Sequence, residues 1–355
     1  MDARSAGPLR AGRLATALDG AALIEYVQLD DAFHAVTVVN GRTRWHALCE
    51  RQRVRDLLDR LPFALHRLVR HQVDAAGVAA ALTMLRDTAR RFDAFLMHPL
   101  RDETRDRPLV IVPTGHLQSL PWSILPSCKG RPVTVSPSAS LWLLASADPQ
   151  PGPYSVAVAA GPGLPAAVSE AHAVAAIHQT APLVGGDATV SAVRAALSQA
   201  GLVHIAAHGR LQTQNPLFSW LQLADGPFTA YDIESLSRVP RMVVLAACDS
   251  ARSVVCAGDE LLGISASFLA QGTQQVIAPV LSIPDAETEP LMVAFHRLLA
   301  AGHSAPEALA HAQSHIGDDP AVIAAAAGFV CIGGRFTLTP SGPAEAASAG
   351  GDGCR

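Results

Sequence analysis

Two short apolar runs stand out in the hydrophobic pattern of this chain, and each is followed by a chemically reactive side chain. Residues 202–207 read LVHIAA, and residues 242–247 read MVVLAA. Aliphatic runs of this length, bounded by polar or turn-forming residues, predict parallel strands that are covered on both faces. His208 follows the first run and Cys248 follows the second. Because the carboxyl ends of neighbouring parallel strands open at one edge of a sheet, the pattern predicts an imidazole and a thiol on the same rim.

Segments of strand period and helix period alternate over residues 104–338, which we predict to be the main domain. Further strands are predicted at 131–135, 154–160, 275–281 and 329–332, and helices at 139–147, 166–179, 190–199, 259–270, 287–301 and 306–314. Such alternation predicts an α/β fold in which helices cover both faces of a mostly parallel central sheet, a three-layer α/β/α sandwich.

A small module of β-strands and helices is predicted to precede this domain, over residues 17–103. Asn40-Gly41 lies between two strand-like segments and predicts a hairpin turn. Leucines spaced along residues 57–69 and the helical segment 78–96 predict a pair of packed helices. We expect residues 1–16 to form a flexible leader and the Gly-, Ala- and Ser-rich residues 339–355 to form a disordered tail.

The charge balance argues against nucleic acid as a partner. The chain of 355 residues has a formal net charge of −4 and a pI near 6.4, whereas nucleic-acid-binding domains typically carry a basic surface. Residues 1–20 lack the apolar segment of a signal peptide, and no apolar stretch is long enough for a membrane helix. The sequence therefore predicts a cytoplasmic protein that binds neither nucleic acid nor a membrane.

The cysteines and histidines do not follow the spacing of a metal site. Six cysteines lie far apart and without Cys-x-x-Cys pairing, which predicts free thiols: Cys49, Cys128, Cys248, Cys256, Cys331 and Cys354. His204 and His208 have the spacing HxxxH, but Ile205 stands where a zinc peptidase needs glutamate. We therefore predict no metal and no cofactor, and we interpret His204 as a hydrogen-bonded core histidine.

A thiol and an imidazole together can perform nucleophilic catalysis. A free thiol has a pKa of about 8.5, so a neighbouring base is needed to raise the thiolate fraction or to accept the proton during attack. The oxyanion that forms needs hydrogen-bond donors, and we predict the backbone N–H groups of Gly209 and Cys248 for this role, since glycine lets substrate approach the backbone closely.

The order of several motifs resembles that of the CHAT domain, a bacterial relative of separase and the caspases. The motifs that carry the resemblance are VPTGHLQSLPWSILP, SEAHAVAA, LVHIAAHG, MVVLAACDS and GDELLGISASFLAQGTQQVIAPVLSIPDAET. The resemblance implies a caspase-like sandwich and a cysteine endopeptidase in which His208 is the base and Cys248 the nucleophile. It also implies a role in bacterial defence or cell death, with a protein or peptide as substrate and a regulatory protein as a further partner.

The same resemblance implies a preference for a basic side chain before the cut bond. By spacing from Cys248, Glu289 corresponds to the acidic residue of the separase pocket, and Asp285 is the second choice. A carboxylate in such a pocket would pair with Arg or Lys. The alternative is that these acids belong only to the first turn of a helix, where the helix dipole favours them.

Two other functions remain open on the sequence. The chain could be a catalytically silent CHAT-fold module for protein interaction, and it could be a hydrolase that uses the same pair of residues on small thioesters. The presence of both His208 and Cys248 favours the peptidase over the silent module.

Overall fold

The computed structural model describes residues 11–69, 74–147, 154–210, 218–247, 262–281 and 287–336. In chain order the described strands are β1 (Ala22–Leu29), β2 (Ala32–Val39), β3 (Arg42–Glu50), β4 (Leu109–Val112), β5 (Val133–Val135), β6 (Val156–Ala160), β7 (Leu202–Ala207), β8 (Gly209–Arg210), β9 (Trp220–Leu223), β10 (Gly226–Thr229), β11 (Met242–Ala247), β12 (Gln275–Pro279) and β13 (Phe329–Gly333).

Helices connect these strands. They are α1 (Ala11–Leu18), α2 (Arg51–Leu58), α3 (Leu61–Val69), α4 (Ala75–Leu96), α5 (Arg101–Thr104), α6 (Ala139–Ala145), α7 (Pro165–Ile177), α8 (Val190–Gln199), α9 (Ala230–Glu234), α10 (Leu262–Gln271), α11 (Glu289–Ala300), α12 (Ala305–Ser314) and α13 (Pro320–Gly328). Single 3₁₀ turns occur at His98–Leu100, Gly115–Ser119, Trp122–Ile124 and Gly185–Asp187. None of the helices in the described ranges is long and apolar enough to cross a bilayer.

One large sheet contains ten of the described strands, in the order β3-β2-β1-β4-β5-β13-β12-β11-β7-β6. The strands β12, β11, β7 and β6 are parallel to one another, and β1, β4, β5 and β13 are parallel to one another. These two parallel blocks run in opposite directions because β12 and β13 pair antiparallel. The prediction of a mostly parallel sheet is confirmed.

Helices cover both faces of the half of the sheet that carries β7 and β11. The side chains of these strands alternate between two apolar clusters, as the period of a strand requires. On one face Leu202 and Ala206 pack with residues of α7, α11 and α12. On the other face Val203, Ile205 and Ala207 pack with residues of α8, α9 and α10. This arrangement confirms the predicted three-layer sandwich.

The strands of the predicted N-terminal module belong to the same large sheet. β1 pairs parallel with β4, with Ile24 opposite Ile111. The hairpin at Asn40-Gly41 is confirmed, since both residues have the positive φ angles that such a two-residue turn needs, 51° and 74°. The end of the predicted leader is helical from Ala11, because α1 packs its leucines against β1 and β2 in a small apolar cluster.

Candidate active site

The register of two central strands places the last described residues before His208 and Cys248 side by side. β7 and β11 pair in parallel over their whole length, and Ala207 lies opposite Ala247 at the carboxyl end. The next residue along β7 is His208, and the next residue along β11 is Cys248. Neighbouring strands lie about 4.8 Å apart. Cys248 itself lies outside the described residues, and the described pairing ends at Ala247.

His208 lies where the backbone leaves the large sheet and enters a second, three-stranded sheet, whose order is β10-β9-β8. The His208 carbonyl accepts a hydrogen bond of 2.8 Å from the Gln222 N–H. Gly209 lies opposite Leu221 in the antiparallel pair of β8 and β9. Because hydrogen-bonded and non-hydrogen-bonded pairs alternate in such a ladder, Gly209 and Leu221 are a non-bonded pair, and the Gly209 N–H is directed away from β9.

The segment Gly161-Pro162-Gly163 forms a turn against the His208 ring. Gly163 has a φ of +78°, and a Cβ at this position would lie 3.8 Å from the His208 Nε2. At Gly161 a Cβ would lie 2.4 Å from the Gln222 carbonyl oxygen and 2.9 Å from the Ala207 Cβ. These glycines therefore let β6, β7 and β9 meet closely beside the imidazole.

Helix α11, which carries the candidate pocket acid, begins near the same edge of the sheet. β12 is parallel to β11, with Ile277 opposite Val244, so the chain after β12 emerges beside the end of β11. Glu289 is the first residue of α11 and is partly exposed. This position agrees with both interpretations of Glu289, the pocket acid and the helix first turn. The second choice, Asp285, lies outside the described residues.

Comparison with known proteins places this architecture in a family. A sequence model described as the CHAT domain matches residues 86–334. The chain belongs to the CHAT domain family.

The chain is also similar to a human protein and to two solved structures. Human tetratricopeptide repeat protein 28 is 25% identical over 312 residues, a match that covers 68% of this chain and 12% of the human protein. A chain of the Saccharomyces cerevisiae separase–securin complex superposes with a TM-score of 0.65 at 10% identity, covering 93% of this CHAT protein and 31% of that chain. A second crystal structure of the same complex gives a TM-score of 0.64 at 10% identity, over 92% of this chain and 30% of that one. The chain therefore spans only a minor part of each of these relatives, and the separase likeness establishes the fold.

A chain of hydrogen-bonded polar side chains, buried except for the half-buried His178, joins β7 to the helices α7 and α11. The Glu170 carboxylate on α7 contacts the Nε2 of His204 on β7 at 2.9 Å and accepts a 2.6 Å hydrogen bond from the Thr288 hydroxyl. The other nitrogen of His204 lies 3.1 Å from His296 on α11, and the second nitrogen of His296 lies 2.9 Å from His178. The interpretation of His204 as a hydrogen-bonded core histidine is confirmed.

One direction of donation satisfies every contact among these side chains. His178 donates to His296, His296 donates to His204, and His204 donates to the Glu170 carboxylate. Burial and the neighbouring His204 charge lower the pKa of His178 to about 4, and burial with the His204 and His178 charges lowers the pKa of His296 well below its usual value.

The thiols that the structure describes are free but unsuited to nucleophilic attack. Cys49, Cys128 and Cys331 form no disulfide. Burial raises the pKa of both Cys128 and Cys331 to about 12, and burial also raises that of the half-buried Cys49 on β3. Thiolate character is what makes a cysteine reactive, so these three cysteines are structural.

The buried polar chain is the feature near the site that the sequence did not reveal. Glu170 forms part of the family motif SEAHAVAA, but its partner Thr288 is far along the sequence, and His178 and His296 belong to no motif quoted above. The one signal of these contacts in the sequence is Glu170, because a carboxylate among the apolar residues of α7 needs polar partners when it is buried.

Proposed function

We propose that this CHAT protein is a cysteine endopeptidase that uses a dyad of His208 and Cys248. The observation that carries the proposal is the parallel register of β7 and β11, in which Ala207 lies opposite Ala247 so that the next residues are His208 and Cys248. Gly163 in the turn before α7 lies beside the His208 imidazole and adds no side chain there.

In the first half of the reaction the Cys248 sulfur attacks the carbonyl carbon of the scissile bond. The thiol proton passes to the His208 imidazole, and the electron pair of the C=O bond moves to oxygen. The Gly209 N–H, directed away from β9, and the Cys248 N–H stabilise this oxyanion. His208 then protonates the leaving amine, the C–N bond breaks, and a thioester remains.

The second half regenerates the enzyme. Water attacks the thioester carbon while His208 accepts a proton from the water. The C–S bond breaks, the new carboxylic acid leaves, and the proton returns to the sulfur. An imidazole is suited to both halves because its unperturbed pKa of about 6.5 lets it accept and donate a proton near neutrality.

The proposed substrate is a cytoplasmic protein cut after a basic residue, in a defence or cell-death pathway. The location of Glu289 at the start of α11, close to where β12 leaves the sheet, supports a carboxylate near the site, and Asp285 is the second candidate. A carboxylate pairs with the guanidinium of arginine through two parallel hydrogen bonds. A regulatory protein that controls access to the site is part of the same proposal.

A panel of fluorogenic peptides tests the function. The peptides carry Arg, Lys, Asp or Leu before the scissile bond, and the full chain is assayed because β1 to β3 extend the same sheet as β4. We expect release after Arg and Lys that falls by at least about a thousandfold in Cys248→Ala and in His208→Ala.

Cys49→Ala provides the matched control, since it removes a half-buried thiol on β3, far across the sheet from β7. It should retain wild-type activity. Equal release by the wild type and Cys248→Ala would overturn the peptidase proposal, and cleavage after Asp alone would overturn the basic preference.

A further inference from the structure

Glu170 joins two of the elements that surround the proposed site. Its side chain is fully buried within the apolar face of α7, the helix that follows the turn beside His208. One carboxylate oxygen contacts His204, which lies on β7 four positions before His208. The other oxygen accepts the hydrogen bond from Thr288, the residue that precedes α11. A single carboxylate thus connects the strand of the base to the start of the helix that carries Glu289.

Thr288 does not make the capping hydrogen bond that is usual for threonine at the start of a helix. It is the N-cap of α11, and threonine at an N-cap typically accepts a hydrogen bond from the backbone N–H of the first turn. Here the Thr288 side chain makes no capping hydrogen bond, its backbone is helical (φ −84°, ψ −32°), and the residue is 4% exposed. Its hydroxyl is 2.6 Å from Glu170 instead, a short contact typical of a hydroxyl that donates to a charged oxygen.

The same set of side chains also holds the middle of α11. His296, two turns after Thr288, is fully buried between His204 and His178. Hydrogen bonds therefore hold α11 against β7 and α7 at two positions along the helix. A helix held by apolar packing alone can slide along its neighbours more easily than one held by buried hydrogen bonds. When a buried hydrogen bond breaks, its groups remain without partners, and the full free-energy cost of their desolvation destabilises the shifted state.

We propose that Glu170 is a positioning residue that sets where α11 begins relative to β7, and thereby the fit of the substrate side chain beside the proposed dyad. This inference rests on the proposed function for its effect on substrates. The position of α11 relative to β7 is a property of the fold, and it can be measured without a substrate.

Two variants of Thr288 test the proposal. Thr288→Val has the same shape without the hydroxyl, so the Glu170 oxygen loses this donor, whereas Thr288→Ser keeps the hydroxyl and loses one methyl group. Varying Thr288 rather than Glu170 leaves the carboxylate in contact with His204, since removal of a buried charge partner would endanger the whole fold.

Amide hydrogen exchange measures the position of α11 without a substrate. The Met292 N–H donates to the Thr288 carbonyl at 3.0 Å and reports on the first turn of the helix. We expect its exchange to be at least about tenfold faster in Thr288→Val and within about threefold of wild type in Thr288→Ser. Amides of α8, on the opposite face of the sheet, should exchange at the same rate in all three proteins, which excludes global unfolding.

Peptide kinetics then measure the consequence for the substrate. For peptides with arginine before the cut bond, we expect Thr288→Val to raise KM about tenfold with a smaller change in kcat, while Thr288→Ser stays close to the wild type. Equal Met292 exchange in Thr288→Val and the wild type would overturn the positioning role, whether or not any peptide is cut. Faster Met292 exchange with an unchanged KM would overturn the link between the position of α11 and the fit of the substrate. A wild-type protein that cuts no peptide would refute the proposed peptidase activity, and the exchange result would still test the positioning role of Glu170.

Discussion

Replacing Gly161 with alanine adds one methyl group at the point where three strands meet beside His208. The new Cβ would lie 2.4 Å from the Gln222 carbonyl oxygen and 2.9 Å from the Ala207 Cβ. Both neighbours are fixed, because Gln222 also donates its N–H to the His208 carbonyl and Ala207 is paired with Ala247. The backbone must therefore move, since neither neighbour can turn aside as a flexible side chain would.

The expected magnitude follows from the size of the overlap. A carbon and an oxygen that are not bonded normally stay more than about 3 Å apart, and overpacking of a dense interior costs about 1–3 kcal/mol. The lower entropy of the unfolded alanine variant offsets about 0.4–1 kcal/mol of this cost. We expect a net loss of about 1–2 kcal/mol in the free energy of unfolding. The displaced His208 should also slow any reaction that it assists by about a hundredfold, since a misplacement of about 1 Å has an effect of that size.

Urea denaturation followed by circular dichroism and tryptophan fluorescence measures the stability. Gly186→Ala is the matched control, because nothing lies within 4 Å of a Cβ at that position and its φ is not positive. It should change the free energy of unfolding by less than about 0.5 kcal/mol. A Gly161→Ala protein as stable as the Gly186→Ala protein would refute the close approach of β6, β7 and β9.

Three further predictions concern the buried groups and one helix end. The unfolded chain protonates His178 and His296 below about pH 6.5, whereas the low pKa values of both rings keep them neutral in the folded protein, down to about pH 4 for His178. The free energy of unfolding in urea titrations should therefore fall by about 2 kcal/mol per pH unit between pH 6.5 and 4, and a flat profile would contradict this. Cys128 and Cys331, with pKa values of about 12, should resist iodoacetamide at pH 8 until urea unfolds the chain, which peptide mass spectrometry would detect; labelling of the native protein at either site would show that it is accessible. Thr189→Ala should destabilise the protein by about 1 kcal/mol because Thr189 caps α8 through a 3.2 Å bond to the Ala192 N–H, whereas Thr189→Ser should not.

The strands that position the candidate site were predictable from local pattern. β7 and β11 begin and end where the apolar runs do, because a strand covered on both faces is predominantly apolar. The caps Ser138 and Thr189 also mark the starts of α6 and α8 in the sequence, since short hydroxyl side chains accept the unpaired N–H groups of a helix.

Other features have no local signal. The reversal of direction between β12 and β13 depends on how the chain returns to the sheet, which the composition of a strand does not specify. The helix α13 is alanine-rich and buried, so it lacks the polar face whose period would reveal it. The bonds from Glu170 to His204 and Thr288 join residues far apart in the chain, and only the folded sheet brings them together.

The rate at which Cys248 is alkylated, measured as a function of pH, tests most directly whether His208 and Cys248 act as a dyad. Site-resolved mass spectrometry of the native protein follows Cys248 in the wild type, in His208→Ala and in the control His172→Ala, which removes an exposed imidazole on α7. If the neighbouring strands bring the imidazole to the thiol, alkylation at pH 7 should be at least about tenfold slower in His208→Ala than in the other two proteins. Identical dependence of the Cys248 alkylation rate on pH in all three proteins would contradict the claim that His208 is the base for Cys248.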